Sequence, residues 1–312
     1  TFTGGTGTHA SGYSGSGILV FNACPQIIGN RITNNSAPAF GFGGGMYLGG
    51  TAACTPLVQD NEIVSNSSGN GGGIAVSGMS KPEIRGNWIH NNSTTHGDGG
   101  GIWVNVAIDG IVMDNNLFQF NTAGDKGGGV VASLGTDALP SIQITISNNV
   151  FFRIISNRSS ALGPSGGALW MHRVDAWVHH NTFAFNQGFG SGDGTLGGGI
   201  AITKCPTSII EQNIIAYTGV GGAIYCSESS VVIRNNLAWD NPYGHGNGDC
   251  PTWVSQDGNI EAHPEFCHTR YDFHLAATSP ALSHPAGPLG ALPMGCEVGS
   301  EFSVWPEPDP GM

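Results

Sequence analysis

Arg85, Asp114, His179, Glu211 and Arg234 each stand two residues before an asparagine, at Asn87, Asn116, Asn181, Asn213 and Asn236. Carboxylate, imidazole and guanidinium brought together are the ingredients of acid–base chemistry on a polysaccharide, with Glu211 as acid or base, His179 as proton carrier and Arg234 stabilising charge. Solvated β-faces carry the same residues, paired from rung to rung, and that is the simpler reading.

A second series is aromatic. Tyr47, Trp103, Trp170 and Tyr225 lie one residue beyond the aliphatic residue that ends a glycine-rich run, alternating with Ala75, Val131 and Ala201. Rings spaced along a regular surface could stack on sugars; loops folded over them are the competing reading. His172, His179 and His180 are close in sequence, but a corner at 173–175 separates the first, and strand alternation sends the other two to opposite faces. They read as separate residues. Asp98, Asp125 and Asp193 precede glycine runs, where calcium could be held with backbone carbonyls. No repeated Asp-x-Asp spacing supports that, so solvated turns are the expectation and no cofactor is required.

What would position these residues is a repeat. Gly45, Gly73, Gly101 and Gly129 close glycine runs 28 residues apart, and the register continues with insertions at Gly166-Gly167-Ala168-Leu169, Gly197-Gly198-Gly199-Ile200 and Gly221-Gly222-Ala223-Ile224. Between them runs a column of asparagines, Asn30, Asn61, Asn87, Asn116, Asn149, Asn181, Asn213 and Asn236, with a second at Asn35, Asn66, Asn92, Asn121, Asn186 and Asn241. Asn tolerates left-handed backbone and can bond along a stack of its own kind, so each column predicts a ladder at a corner. Alternation turns Ile74, Ile102 and Ile200 inward and Ala75, Trp103 and Ala201 outward. Ile84, Met113, Ile146 and Val178 form a further inward column before the first Asn, and Ile63, Ile89, Phe118 and Phe151 one after it. The expectation is an all-β, right-handed parallel β-helix with three strands per coil and about eight or more coils.

The 51 glycines and only 10% charged residues suit this turning backbone better than long helices. A formal charge of −12 excludes a nucleic-acid partner and repels anionic polymers unless metal ions intervene. No apolar run is long enough to span a membrane. The seven cysteines lack CxxC spacing and imply an oxidising compartment with one thiol left over. Register sets Cys24 and Cys54, 6 and 7 residues before Asn30 and Asn61, close enough to bond.

The coil pattern over about residues 14–245 resembles the right-handed parallel β-helix repeat proteins, a superfamily that includes pectate lyases, polygalacturonases and many secreted bacterial proteins. The resemblance is specific for fold and not for activity. Pectate-lyase signatures are missing, and Gly244-His245-Gly246 is similar to a polygalacturonase element whose companions are absent. The tail, with Gly258-Asn259-Ile260, His263-Pro264-Glu265-Phe266 and Ser279-Pro280-Ala281, is similar to the closing segment of secreted bacterial β-helix proteins. In such relatives an acidic residue commonly stands at the place of His263 and a Cys at that of Ala281, which leaves the partner of Cys296 open.

The organisation expected is coils over residues 1–250, a closing segment over 251–300 and a linker or tail over 301–312 in a processed or truncated piece of a longer protein. The function expected is a secreted or cell-surface, non-catalytic scaffold contacting polysaccharide or another surface component. A polysaccharide lyase or glycoside hydrolase is the runner-up, and a subunit that self-associates end to end is the third reading.

Overall fold

The computed structural model describes residues 1–6, 15–106, 108–134, 141–157, 166–189, 197–250, 252–268 and 272–296. Asp193 and the 301–312 segment lie outside the described residues. Three parallel sheets run the length of the molecule, and coil after coil visits them in the same order. The first follows the glycine runs (Ile18–Phe21 through Gly246–Gly248), the second precedes the Asn column (Gln26–Ile28 through Val231–Arg234), and the third follows it (Phe2–Thr3 through Ile260–Glu261). They hold nine, eight and ten strands respectively. A fourth sheet, Ser67–Ser68 to Gln187–Phe189, adds strands of two or three residues to five central coils, which thus carry four strands where three were expected, and the coil count is slightly below the eight or more expected. Towards the start of the chain the column continues as bridges such as Ser36 to Ser67.

Inward positions match the sequence pattern. Ile74, Ile102, Val130, Leu169, Ile200 and Ile224 pair rung to rung and are fully buried. Phe118, Phe151 and Phe183 stack inside at 4.6 and 4.8 Å with rings 3° from parallel. The glycine runs are required by close approach, because a Cβ on Gly73 would lie 2.7 Å from the Gly101 carbonyl oxygen of the next coil.

The first Asn column is a buried hydrogen-bonded ladder. The Asn116 backbone N–H and Nδ2 both donate to Asn149 Oδ1 at 2.9 Å, and Asn116 Nδ2 also donates to the Ile84 carbonyl at 2.9 Å. Asn259 in the tail is a further rung, accepting from the Asn236 N–H at 2.8 Å. The left-handed residue is the one before the ladder Asn and not the Asn itself: Asp60, Gly86, Asn115, Asn148, His180, Gln212 and Asn235 all have φ between 53° and 63°. The second ladder is interrupted by Ile154, whose N–H still donates to Asn186 Oδ1 at 2.9 Å.

Beyond the last rung the chain turns back along the outside of the third sheet. Phe266, Phe273, Leu275, Ala281 and Leu289 pack on Val150, Phe152, Ile214 and Leu237. His263, at the place of the relatives' acidic residue, bonds Tyr217 Oη at 2.9 Å. Cys24 is bonded to Cys54 as register implied, Cys226 to Cys250, and Cys296 to Cys267, which makes no demand on Ala281. Three disulfides fit an oxidising compartment. Among the described residues no helix is long and apolar enough to cross a membrane.

Two outcomes follow from this packing. Asn149→Ala strands the Asn116 N–H and Nδ2 and the Met113 carbonyl, so urea denaturation should show a loss of about 1–3 kcal/mol per orphaned buried group. Asn30→Ala at the half-buried first rung, whose backbone N–H keeps its bond to Asn61, should cost less, about 0.5 kcal/mol. Cys205, the free thiol, is fully buried and burial pushes it up to about 11. A thiol reagent at about pH 8 should therefore label it only after denaturation, and labelling of native protein would show that this coil opens.

Candidate functional site

The charged series forms one outward column on the second sheet, because the residues before it, Ile84, Met113, Ile146, Val178, Ile210 and Ile233, fill the core. Arg85 pairs with Asp114, Asp114 with Ser147, Ser147 with His179, His179 with Glu211 and Glu211 with Arg234. Hydrogen bonds divide it into two groups. In one, Asp114 accepts from Arg85 Nη1 at 3.0 Å and from Ser147 Oγ and Asn148 Nδ2 at 2.8 Å. In the other, Glu211 accepts from Arg234 Nε through Oε2 and from Trp177 Nε1 through Oε1, both at 2.7 Å.

Glu211 is only 8% exposed. Burial opposes its charge, but the bonds from Arg234 and Trp177 outweigh burial and hold the carboxyl below the usual glutamate range. It is a fixed anion. Trp177, by contrast, is 47% exposed, and its ring lies 4.1 Å from that of His179, tilted by 32°. His179 and His180 are not separated as alternation implied. His180 sits at the left-handed corner with φ 53°, where alternation ends, and its Nδ1 comes to 3.0 Å from His179 Nδ1. Burial lowers both imidazoles below their usual range, against the attraction of Glu211.

Sequence reasoning missed Trp177. The signal was present, since Trp177 is two residues before His179 and shares its outward parity. Rung by rung it belongs to a second lane of Leu57, Glu83, Val112, Thr145, Ile209 and Val232, beside the charged one. Val232 is 50% exposed.

The four aromatics offered as a sugar-stacking column, with cover by loops as the simpler reading, are buried to different degrees. Tyr47 is 1% and Trp170 8% exposed, with Trp103 and Tyr225 half-buried. Phe42 lies 5.0 Å from Trp103, His172 stacks on Trp170 at 5.4 Å, and Lys126 Nζ stands 5.0 Å over the same indole. Lys126 also approaches Asp125 at 3.1 Å and Asp98 at 3.8 Å, so an ammonium stands where a calcium ion would. Among the described residues no three His, Cys, Asp or Glu side chains converge as a metal site. His172 is bound to Thr203 on the first sheet, away from His179.

Two smaller constellations complete the inventory. On the third sheet His90 stacks on Trp88 at 3.8 Å and meets Glu62 at 3.3 Å, largely buried. At the end of the rod, His245, Cys250, Thr252, Trp253 and Val254 line a cavity of about 230 Å³, with His245 held by Glu261 at 3.3 Å.

For hydrolysis the decisive quantity is carboxylate separation. Asp114 and Glu211 are three rungs apart, about 14 Å at roughly 4.8 Å per rung, against about 5–9.5 Å in glycosidases. The column does not supply an acid–base pair of that kind.

Residues 5–151 match the family model described as right handed beta helix region. No curated protein and no solved structure matches the chain.

Glu211→Gln keeps a partner for Trp177 but removes the charge, so it should cost about 1–2 kcal/mol at neutral pH. Because the folded carboxyl titrates below the unfolded one, its contribution is present above about pH 4.3 and is lost as pH falls through the folded value. Melting curves of wild type and variant should therefore converge in acid; a constant gap would show that the charge is not what stabilises.

Proposed function

We propose that this is an extracellular or cell-surface, non-catalytic β-helix whose exposed second sheet contacts polysaccharide. Trp177 would be the stacking platform, with His179, Glu211 and Arg234 as its polar rim. The observation that carries this reading is Trp177 itself: a half-exposed indole fixed in orientation by Glu211 on the second sheet. A rigid aromatic with a polar edge gives sugar rings apolar contact at little cost in side-chain order.

The lane on either side is continuous and regular. Eight rungs offer a track on the order of 30 Å at about 4.8 Å per rung, and the chain's charge of −12 favours a neutral glycan over a polyanion. Secretion follows from the same reading, since the disulfides need an oxidising compartment. The lyase or hydrolase alternative would assign proton transfer to Glu211, whose two oxygens are already committed to Arg234 and Trp177. End-to-end association would use the first coil, where Leu19, Phe21 and Ile28 are 55%, 41% and 46% exposed.

Two tryptophans separate the readings. On a panel of neutral and acidic polysaccharides, Trp177→Ala should weaken binding of a neutral glycan by about 1–3 kcal/mol, by analogy with base stacking, and cost about 1–2 kcal/mol of stability through the lost bond to Glu211. Trp170→Ala should instead lose about 3–5 kcal/mol of stability with no change in binding. Unsaturated products or new reducing ends would replace the scaffold reading with an enzyme. Equal affinity of wild type and Trp177→Ala would remove the second sheet from consideration.

A further inference from the structure

We propose that His179 and His180 form a two-nitrogen chelate for a divalent transition ion, Cu(II) foremost, at the edge of the second sheet. Their Nδ1 atoms face each other at 3.0 Å. Two nitrogens bound to one ion at about 2.0–2.1 Å lie about 2.8–3.0 Å apart at a right angle and about 3.3–3.4 Å apart in a tetrahedron. The observed separation suits cis positions of a tetragonal ion, the geometry of Cu(II) and Ni(II), better than tetrahedral zinc. Among these ions nitrogen ligands bind Cu(II) most strongly.

The corner does not need an imidazole to turn. In other rungs the same left-handed position is held by Asp60, Gly86, Asn115, Asn148, Gln212 and Asn235, all but Gln212 being Asp, Asn or Gly suited to that backbone. Histidine there brings its Nδ1 to 3.0 Å from its neighbour's. Without an ion, one ring's Nδ1–H donates to the other's Nδ1. On binding, that proton passes through solvent to the Nε2 of the same ring, so both imidazoles remain neutral and no proton is released. Both rings are half-exposed, which leaves the ion an entry path.

Glu211 contributes negative charge beside the pair while its oxygens stay with Trp177 and Arg234. With no third ligand converging among the described residues, the remaining coordination positions fall to water, and the ion is exchangeable. It would lie next to Trp177, whose ring packs against His179.

The test titrates the full chain with Cu(II) alone in a non-chelating buffer and reads tryptophan fluorescence and the electron paramagnetic resonance spectrum. Saturable quenching at one equivalent is expected, with hyperfine structure from two imidazole nitrogens. His179→Gln and His180→Asn should each weaken binding at least about tenfold, and His172→Gln should leave it unchanged. His180→Asn preserves the turn, because Asn115, Asn148 and Asn235 occupy that position in other rungs, and melting temperatures check that both variants are folded. Trp177→Phe should lose most of the quenching and keep the resonance spectrum. Cu(II) binding that survives undiminished in His179→Gln and His180→Asn, or that never saturates, would overturn the proposal and leave the pair as a simple hydrogen bond.

Discussion

Everything in this rod depends on an amide that must be satisfied in the dark. From Asn61 to Asn259 each asparagine of the first ladder is buried, and an interior one such as Asn87 finds partners for its amide only when successive coils stand in register. A slip of one residue would strand the column and turn every inward side chain out. The ladder and the hydrophobic columns therefore enforce each other: Ile84 fills the core, offers its carbonyl to Asn116, and holds the second sheet to the third at one angle. The left-handed residue before each Asn is the backbone expression of the same demand.

The constraint is relaxed where the rod ends or its neighbours change. Ile154 replaces a rung of the second ladder with an apolar side chain in the core, and Thr218 makes a shorter version, its hydroxyl donating to Asn241 at 2.7 Å. At the rod ends, where a coil has a partner on one side only, Cys24–Cys54 and Cys226–Cys250 join adjacent coils covalently. The tail first extends the ladder with Asn259 and then returns over the third sheet, so closing and covering are done by one segment.

The repeat was legible because periodicity is a statement about backbone register, and register is all that a ladder and a glycine column need. The 28-residue spacing located the strands, the inward columns and the Cys24–Cys54 pair. What lay on the outward face was harder to read. Alternation correctly aligned His179, Glu211 and Arg234, but it could not reveal that loops bury Tyr47 and Trp170. It also misplaced His180, since strand parity fails at a left-handed corner. Trp177 was overlooked because it follows no glycine run; its exposure depends on what the neighbouring loops leave bare.

Dependence on loop cover sets the second sheet apart. Several of the first sheet's outward side chains are covered, Tyr47, Val131 and Trp170 being buried with Phe42 and Lys126 against Trp103 and Trp170, although Leu19 and Phe21 on its first strand stay exposed. The third is covered along its later rungs by the returning tail. Between them the second sheet keeps an indole and a valine about half exposed beside a row of ion pairs. Its inward residues are locked by the core and its corner by the ladder, so the outward residues can vary without loss of the fold. On a scaffold whose backbone is determined elsewhere, the contacts proposed for a ligand are an exposed ring, a carboxylate held by Arg234 and Trp177, and two imidazoles with Nδ1 atoms 3.0 Å apart.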